Sequence, residues 1–335
     1  MNSLITGTIK THFQGLTSQL PSGFKEYIFQ HSKNYLNQLE SVLNNVDCIE
    51  IGTTNVCNRK CISCPVGTSD IADKLTENAV DYEQFNRILA NLSVFKNRSF
   101  SLSLHEYNEP LKDADILAKY QMAGKAFPLA ELTLFTNGDM LHHSKKGFYS
   151  IERLLNVGIR HIRISIYDSN PAKSKVFKRI GMDMAHFTEK ENVPKNRTEY
   201  SHQLNYHGES VLIRVLFLST KQLSNRGGII VSDKAKRSGL CSLPQRTLSI
   251  DYQGNLKMCC NVHHMEEDAD TWIYGSLMNT PISHILMSDA YSKMRDNTSV
   301  GNYQDLAKCQ VCDFYQKTSD RRAVAHDDIE LAEYT

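Results

Sequence analysis

The chain is short of the features that would carry it into a membrane, out of the cell or onto a polyanion. Its 335 residues contain no run approaching the roughly 18 apolar residues of a membrane-spanning helix. The start, Met-Asn-Ser-Leu-Ile-Thr-Gly, lacks the charged-then-apolar order of a signal peptide. Neither sign of charge dominates, with 38 basic against 37 acidic residues. No nucleic-acid-binding surface is therefore expected. No internal repeat recurs at solenoid or propeller spacing. A disulfide framework is missing too: the nine cysteines are odd in number and fall into an early and a late set separated by a long gap. These absences predict a cytoplasmic protein whose reduced thiols are gathered for metal, with neither nucleic acid nor membrane as partner.

What is present is an alternation. Residues 1–46 carry helical spacing, with Tyr27, Ile28, Tyr35, Leu36, Leu39 and Leu43 on it, and predict a helical extension packed on the main domain. From Cys48 short apolar strands alternate with helix-length stretches. Strands are expected at 48–51, 101–104, 131–135, 161–167 and 211–218, with helices near 112–125 and 150–157. That order argues for βαβ units and a parallel sheet, with polar residues at the C-terminal strand ends where such folds place their sites. Residues 168–207 are polar and predict a loop or lid. The stretch 220–240 reads as a linker.

The first strand runs straight into Cys57-Asn-Arg-Lys-Cys61-Ile-Ser-Cys64. Zinc sites ordinarily have four ligands, often as paired Cys-x2-Cys, which three cysteines alone do not supply, although a distant His105 or later cysteine would complete one. Three thiolates can also hold three irons of a [4Fe–4S] cluster and leave the fourth open. Cys-x3-Cys-x2-Cys after a strand resembles the radical S-adenosylmethionine superfamily. The resemblance implies that Cys57, Cys61 and Cys64 ligate the cluster whose open iron binds S-adenosylmethionine. The aromatic residue that many relatives carry before the last cysteine is Ser63 here, while Pro65 suits a common variant. Asn108-Glu109-Pro110 stands where relatives have Gly-Gly-Glu-Pro, and the acceptor-only carboxylate of Glu109 suits the cofactor's ammonium. Without the resemblance it reads as an ordinary turn. Thr136 and Asn137 occupy the Thr-Asn-Gly turn of many relatives, and Ser165 a position that often meets the ribose. Read alone, these are a tight turn and an inward strand serine.

The late set begins Cys241-x12-Gly254-x4-Cys259 and ends Cys309-x2-Cys312. A β-hairpin explains the first part: 247–250 pairs with 255–258 across a turn whose Gly254 can take positive φ, bringing Cys259 towards Cys241. Four thiolates fit a closed zinc site or one fully ligated [4Fe–4S] cluster. The layout resembles the SPASM and twitch domains, and its truncation, with no cysteine after 312, resembles the aminocyclitol dehydrogenase type of butirosin biosynthesis. That implies an auxiliary cluster on Cys241, Cys259, Cys309 and Cys312. Cys260 is either a spare thiol or an alternative ligand, and Cys48 reads as buried core.

The expected fold is α/β: a partial (β/α)6 TIM-like barrel with a small C-terminal β-hairpin and helix domain. The expected division is a helical extension (1–46), the barrel (47–225), the auxiliary-cluster domain (226–320) and a tail (321–335). The implied activity is reductive cleavage of S-adenosylmethionine, then hydrogen abstraction from a small polar metabolite such as a sugar, aminocyclitol or nucleoside in natural-product (antibiotic) biosynthesis. The auxiliary cluster would take or relay an electron, and a flavodoxin or ferredoxin would donate one. His105, Glu106 and Asp251 are proton-transfer candidates by type and place, and Arg226 could orient a substrate. Two other readings stay open: a maturase that crosslinks or epimerises a ribosomal peptide substrate, and a non-catalytic zinc-binding protein.

Overall fold

A computed structural model describes residues 22–314 except 63, 68, 76, 144–148, 167–174, 193–196, 219–223 and 232–238. The chain divides into two compact units, Met1–Asn44 and Asn45–Thr335. Of the first, one helix, Ser22–Asn44, is described. The expected tail, 321–335, lies outside the described residues.

The second unit is built on one open sheet of ten strands in the order β10-β9-β8-β1-β2-β3-β4-β7-β6-β5. The strands are β1 (Cys48–Ile51), β2 (Ser101–Ser103), β3 (Glu131–Thr136), β4 (Ile159–Ile166), β5 (Thr188–Asn192), β6 (Arg197–Tyr206), β7 (Glu209–Phe217), β8 (Thr247–Ile250), β9 (Asn255–Lys257) and β10 (Ile273–Ser276). The run β8-β1-β2-β3-β4-β7 is parallel throughout, and antiparallel strands extend it at both ends. β8 and β9 form the expected hairpin, but β8 also pairs with β1 over four residues. The sheet thus runs on past residue 225, where a domain boundary was expected.

Register assigns the two faces opposite chemistry. Ile49, Ile51, Leu102, Leu132, Leu134, Ile162, Ile164, Ile213, Val215, Leu248 and Ile250 are each at most 3 % exposed and form the apolar face. Helices Tyr82–Asn91, Ile116–Ala126 and Ile151–Asn156 contribute Phe85, Ile88, Ile116, Tyr120, Leu154 and Leu155 to the same core. At about 25 cal/mol per Å² of buried apolar surface, this layer is the main source of stability. The first of these helices begins at a capping box: Asp81 accepts from the Gln84 amide (2.8 Å) while Gln84 accepts from the Asp81 amide. Such a cap contributes about 1 kcal/mol. On the opposite face a polar row crosses six strands in register: Lys257, Ser249, Glu50, Ser103, Thr133 and His161. Nearer the C-terminal strand ends, His105 stacks on Phe135 (4.2 Å between ring centroids) and the Arg163 guanidinium lies 5.5 Å from the Phe135 ring.

The segment expected to be a loop or lid, 168–207, is corrected in its described part. It forms a short helix, Val176–Ile180, and the antiparallel strands β5 and β6. Its polarity reflects a sheet with one solvated face, which is what antiparallel pairs tolerate. The buried side is aromatic: Tyr200 meets Phe177 and Phe217 edge-on at 5.6 and 5.8 Å. Among the described residues no helix is long and apolar enough to cross a membrane.

Candidate active site

The first cysteine loop leaves β1 through Gly52, which sits against the Tyr252 amide and the Glu106 side chain. Inside it, Cys64 donates its amide to the Cys61 carbonyl (3.1 Å) and Gly67 to that of Cys64 (2.9 Å). A Cβ at Gly67 would lie 2.3 Å from the Cys61 carbonyl oxygen, so the 65–67 turn folds back on Cys61 only because residue 67 is glycine. Cys57, Cys61 and Cys64 are partly exposed. Burial pushes all three thiols up, while the positive charge of Arg226 acts the other way on Cys64. Ser63 lies outside the described residues.

Two strand-end turns clamp this loop. Glu109 donates its amide to the Val56 carbonyl, and its carboxylate, 2 % exposed, accepts from Thr136 Oγ1 (2.7 Å), the Asn137 amide (2.8 Å) and the Leu111 amide (3.2 Å). Burial raises its pKa, and these donors oppose the rise. Pro110 opens the short turn of Pro110–Lys112 that Glu109 caps. Asn137 donates through Nδ2 to Asn58 Oδ1 (2.8 Å) and to Cys57 Sγ (3.8 Å). Asp139 receives Arg59 through two nitrogens (2.5 and 2.7 Å) and Arg179 through one (2.9 Å). The Arg59 bonds hold its carboxyl below the usual aspartate range. Asn108 accepts the Glu106 amide (2.8 Å), and its buried Nδ2 has no hydrogen-bond partner. Structure thus joins Glu109, Thr136 and Asn137 to the cysteine loop, with Asn108 and Pro110 flanking Glu109 in the chain. Ser165 lies on the polar face of β4, two residues past Arg163.

The second set is assembled from distant segments. Cys241, Cys259, Cys309 and Cys312, each at most 7 % exposed, line one small cavity together with Leu243, Pro244, Met258, Val262 and Lys308. Among the described residues no three His, Cys, Asp or Glu side chains gather closely enough to hold one metal ion. Cys260 does not line this cavity; its charge partners are Glu50, Arg226 and Lys257. Gly254 turns the hairpin with φ of +83°, as its sequence position predicts. Asp251, a proton-transfer candidate from the sequence, stands in the hairpin turn. Its buried carboxylate accepts from the Gln253 and Asn255 amides (both 2.9 Å) and from Asn255 Nδ2 (3.0 Å).

Between the two sets lies a group of charged and aromatic side chains. Glu106 and Lys257 form a buried ion pair, and Lys257 Nζ also donates to the Val262 carbonyl (2.7 Å). Lys257 and the Arg226 guanidinium lie 5.3 and 5.7 Å from the Tyr107 ring centre. Arg226 takes φ of +50°, unusual for a residue with a Cβ, and donates to Asn261 Oδ1 (3.3 Å). Burial pulls the Lys257 ammonium down to about 8. His105 shares a 2.9 Å hydrogen bond with Ser103. The sequence reading named Arg226, His105 and Glu106 of this group, and did not name Glu50, Tyr107 or Lys257. The one signal for these was a glutamate and a lysine interrupting short apolar strands.

A family model for the SPASM iron-sulfur cluster-binding domain matches residues 241–313. The S-adenosyl-L-methionine-dependent 2-deoxy-scyllo-inosamine dehydrogenase of Niallia circulans is 24 % identical over 266 residues, covering 79 % of this chain and 91 % of that protein. The crystal structure of BtrN in complex with AdoMet and 2-DOIA superposes with a TM-score of 0.58 at 20 % identity, over 80 % of this chain and 92 % of that one. An open conformation of BtrN gives 0.52 at 17 %, with the same coverage. These two neighbours share the fold, a partial TIM barrel. The matched C-terminal SPASM domain, the S-adenosylmethionine-dependent relative and the shared fold, taken with the three-cysteine loop, support a radical S-adenosylmethionine enzyme with a C-terminal SPASM domain.

Proposed function

We propose that the chain dehydrogenates a carbinol of a small polar metabolite of the aminocyclitol class. The observation that carries this reading is the second cysteine set: four buried thiols line one cavity, enough to close every iron of an auxiliary cluster. A closed cluster exchanges electrons and has no iron open to substrate, which favours oxidation over group transfer.

The residues present fit both cofactors. Cys57, Cys61 and Cys64 would hold the first cluster, with Asn108 Nδ2 offering an unused buried donor towards S-adenosylmethionine. Bound there, the cluster and S-adenosylmethionine would supply the radical chemistry for removing a hydrogen atom from substrate. Oxidising a carbinol to a ketone removes that hydrogen atom, one proton and one electron. Glu106, Lys257, Arg226 and Glu50 offer charged groups to the hydroxyls and amine of such a substrate, and His105 or Glu106 would accept the proton. The curated relative's name places an aminocyclitol, 2-deoxy-scyllo-inosamine, with that enzyme, and it is the first probe to use here.

The test is anaerobic reconstitution followed by iron, sulfide and product analysis. About eight irons and eight sulfides per chain are expected for two four-iron clusters. With reductant and 2-deoxy-scyllo-inosamine, 5′-deoxyadenosine and ketone should form in equal amounts. Zinc without sulfide would overturn the reading, as would intact clusters that never yield 5′-deoxyadenosine with any aminocyclitol.

A further inference from the structure

Three consecutive residues, Arg226, Gly227 and Gly228, take positive φ of +50°, +63° and +94°. Glycine enters that region freely, whereas the Cβ of Arg226 makes its conformation strained. Such strain persists only where the surroundings over-determine the backbone, and it gathers at functional sites. What grips this turn therefore decides where the arginine points.

The grip comes from the second cysteine set. Asn225 and Asp313 are both buried and pair across 88 residues of sequence. The Asn225 amide donates to Asp313 Oδ1 (2.6 Å), and the Asp313 amide donates back to Asn225 Oδ1 (3.2 Å). Asn225 Nδ2 donates to the Val311 carbonyl (2.7 Å). The Asn225 carbonyl accepts the Gly228 and Ile230 amides (both 3.0 Å), so one residue closes the turn and ties it down. Packing is tight on two sides. A Cβ at Gly228 would lie 2.8 Å from Val311 Cγ2, and one at Gly227 would lie 3.1 Å from the Asn261 carbonyl oxygen. Asn261 Oδ1 also accepts from Arg226 Nη1 and from Ser224 Oγ (both 3.3 Å). Val311 and Asp313 flank Cys312, and Asn261 stands two residues past Cys259. From this anchorage the Arg226 guanidinium reaches the Tyr107 ring, and its charge acts on Cys64 of the first set.

We propose that Asn225 and Asp313 are positioning residues: their reciprocal hydrogen bonds fasten the Arg226 turn to the Cys309–Cys312 segment and thereby aim the guanidinium at the substrate. The inference rests on the proposed function, in which Arg226 meets the substrate. It gives the second cysteine set another part, as the anchor of a binding side chain.

Two measurements on the reconstituted full-length enzyme test this. Hydrogen exchange without substrate reads the turn itself. N225A should speed exchange of the Gly228 and Ile230 amides about tenfold, because a turn with fewer tethers opens more often. D313N keeps an oxygen for the Asn225 amide and should stay near the wild type, while D313A should follow N225A. The two Asp313 variants give the same comparison if N225A fails to fold. Kinetics with 2-deoxy-scyllo-inosamine read the arginine. N225A should raise KM about tenfold with a smaller change in kcat. R226A should raise KM at least as much, and N225A/R226A should be no worse than R226A, since a positioning residue acts through the side chain it places. Additive losses in the double variant would overturn the proposal, and so would wild-type exchange at Gly228 and Ile230 in N225A and D313A. A wild type that oxidises no aminocyclitol would instead sink the proposed function, leaving the exchange rates to decide whether the pair holds the turn.

Discussion

The two cysteine sets reach the same chemistry from opposite directions. Cys57, Cys61 and Cys64 belong to one eight-residue stretch, partly exposed, whose shape is fixed by local bonds and by the glycine at 67. Cys241, Cys259, Cys309 and Cys312 arrive from a β8 approach, a hairpin end and a short helix, and they meet only inside the folded unit. A local loop can be rebuilt or emptied while the core stands. A ligand set that is also core cannot. The difference predicts that damage to the first set is catalytic and damage to the second is structural as well.

The largest effect should come from the first set. C57A, C61A or C64A should reduce 5′-deoxyadenosine to background and halve the iron content, while the thermal midpoint moves little. C309A should also lose about half the iron, but its thermal midpoint should drop by several degrees, because the cavity it lines is buried. If both variants melted alike, the contrast between the sets would fail.

G67A comes next. Its Cβ would press on Cys61, so iron uptake at the first site should fall severalfold with the second site intact, read by iron analysis and electron paramagnetic resonance. D139N should then weaken the Arg59 and Arg179 clamp and reduce the rate of S-adenosylmethionine cleavage about tenfold. Asp139 also gives a sign to the acid response. Its folded pKa lies below its usual value of 3.8, so its contribution is complete above that value and fades as pH falls through the lowered one. In D139N that part of the acid sensitivity should vanish from a pH series of urea melts.

The smallest effect concerns His264, which stacks on His263 at 4.5 Å. Burial lowers His264 to about 4 from an ordinary 6.5, and its buried ring nitrogens have no hydrogen-bond partner. Between those two values the unfolded chain binds a proton that the folded chain refuses, so stability should fall as pH drops from 6.5 towards 4. The loss should be on the order of 2–3 kcal/mol at most. H264F should flatten the same interval, and an unchanged slope would contradict this assignment.

Much of the fold was legible because parallel strands buried on one face read as short apolar runs with polar ends. The β1 loop and the hairpin turn at Gly254 fell at positions that local patterning marks, while the Glu109 carboxylate was singled out only by the family resemblance. The strands β5 and β6 were not legible, since a sheet with one wet face shows mixed polarity. The Glu106–Lys257 pair was hidden for a different reason: its partners are 151 residues apart, and neither carries a local signature of pairing. Asp251 shows the converse case, a carboxylate in a suggestive place that accepts three hydrogen bonds from its own turn.

The sequence by itself determined the three-cysteine loop, the glycines that shape it and the presence of four further thiols, because spacing and turn chemistry act over a few residues. Only the tertiary structure decided that those four thiols share one cavity and that Arg226 stands between the two sets. Contacts between distant segments follow from sheet order and packing, and no short-range pattern in the chain encodes them.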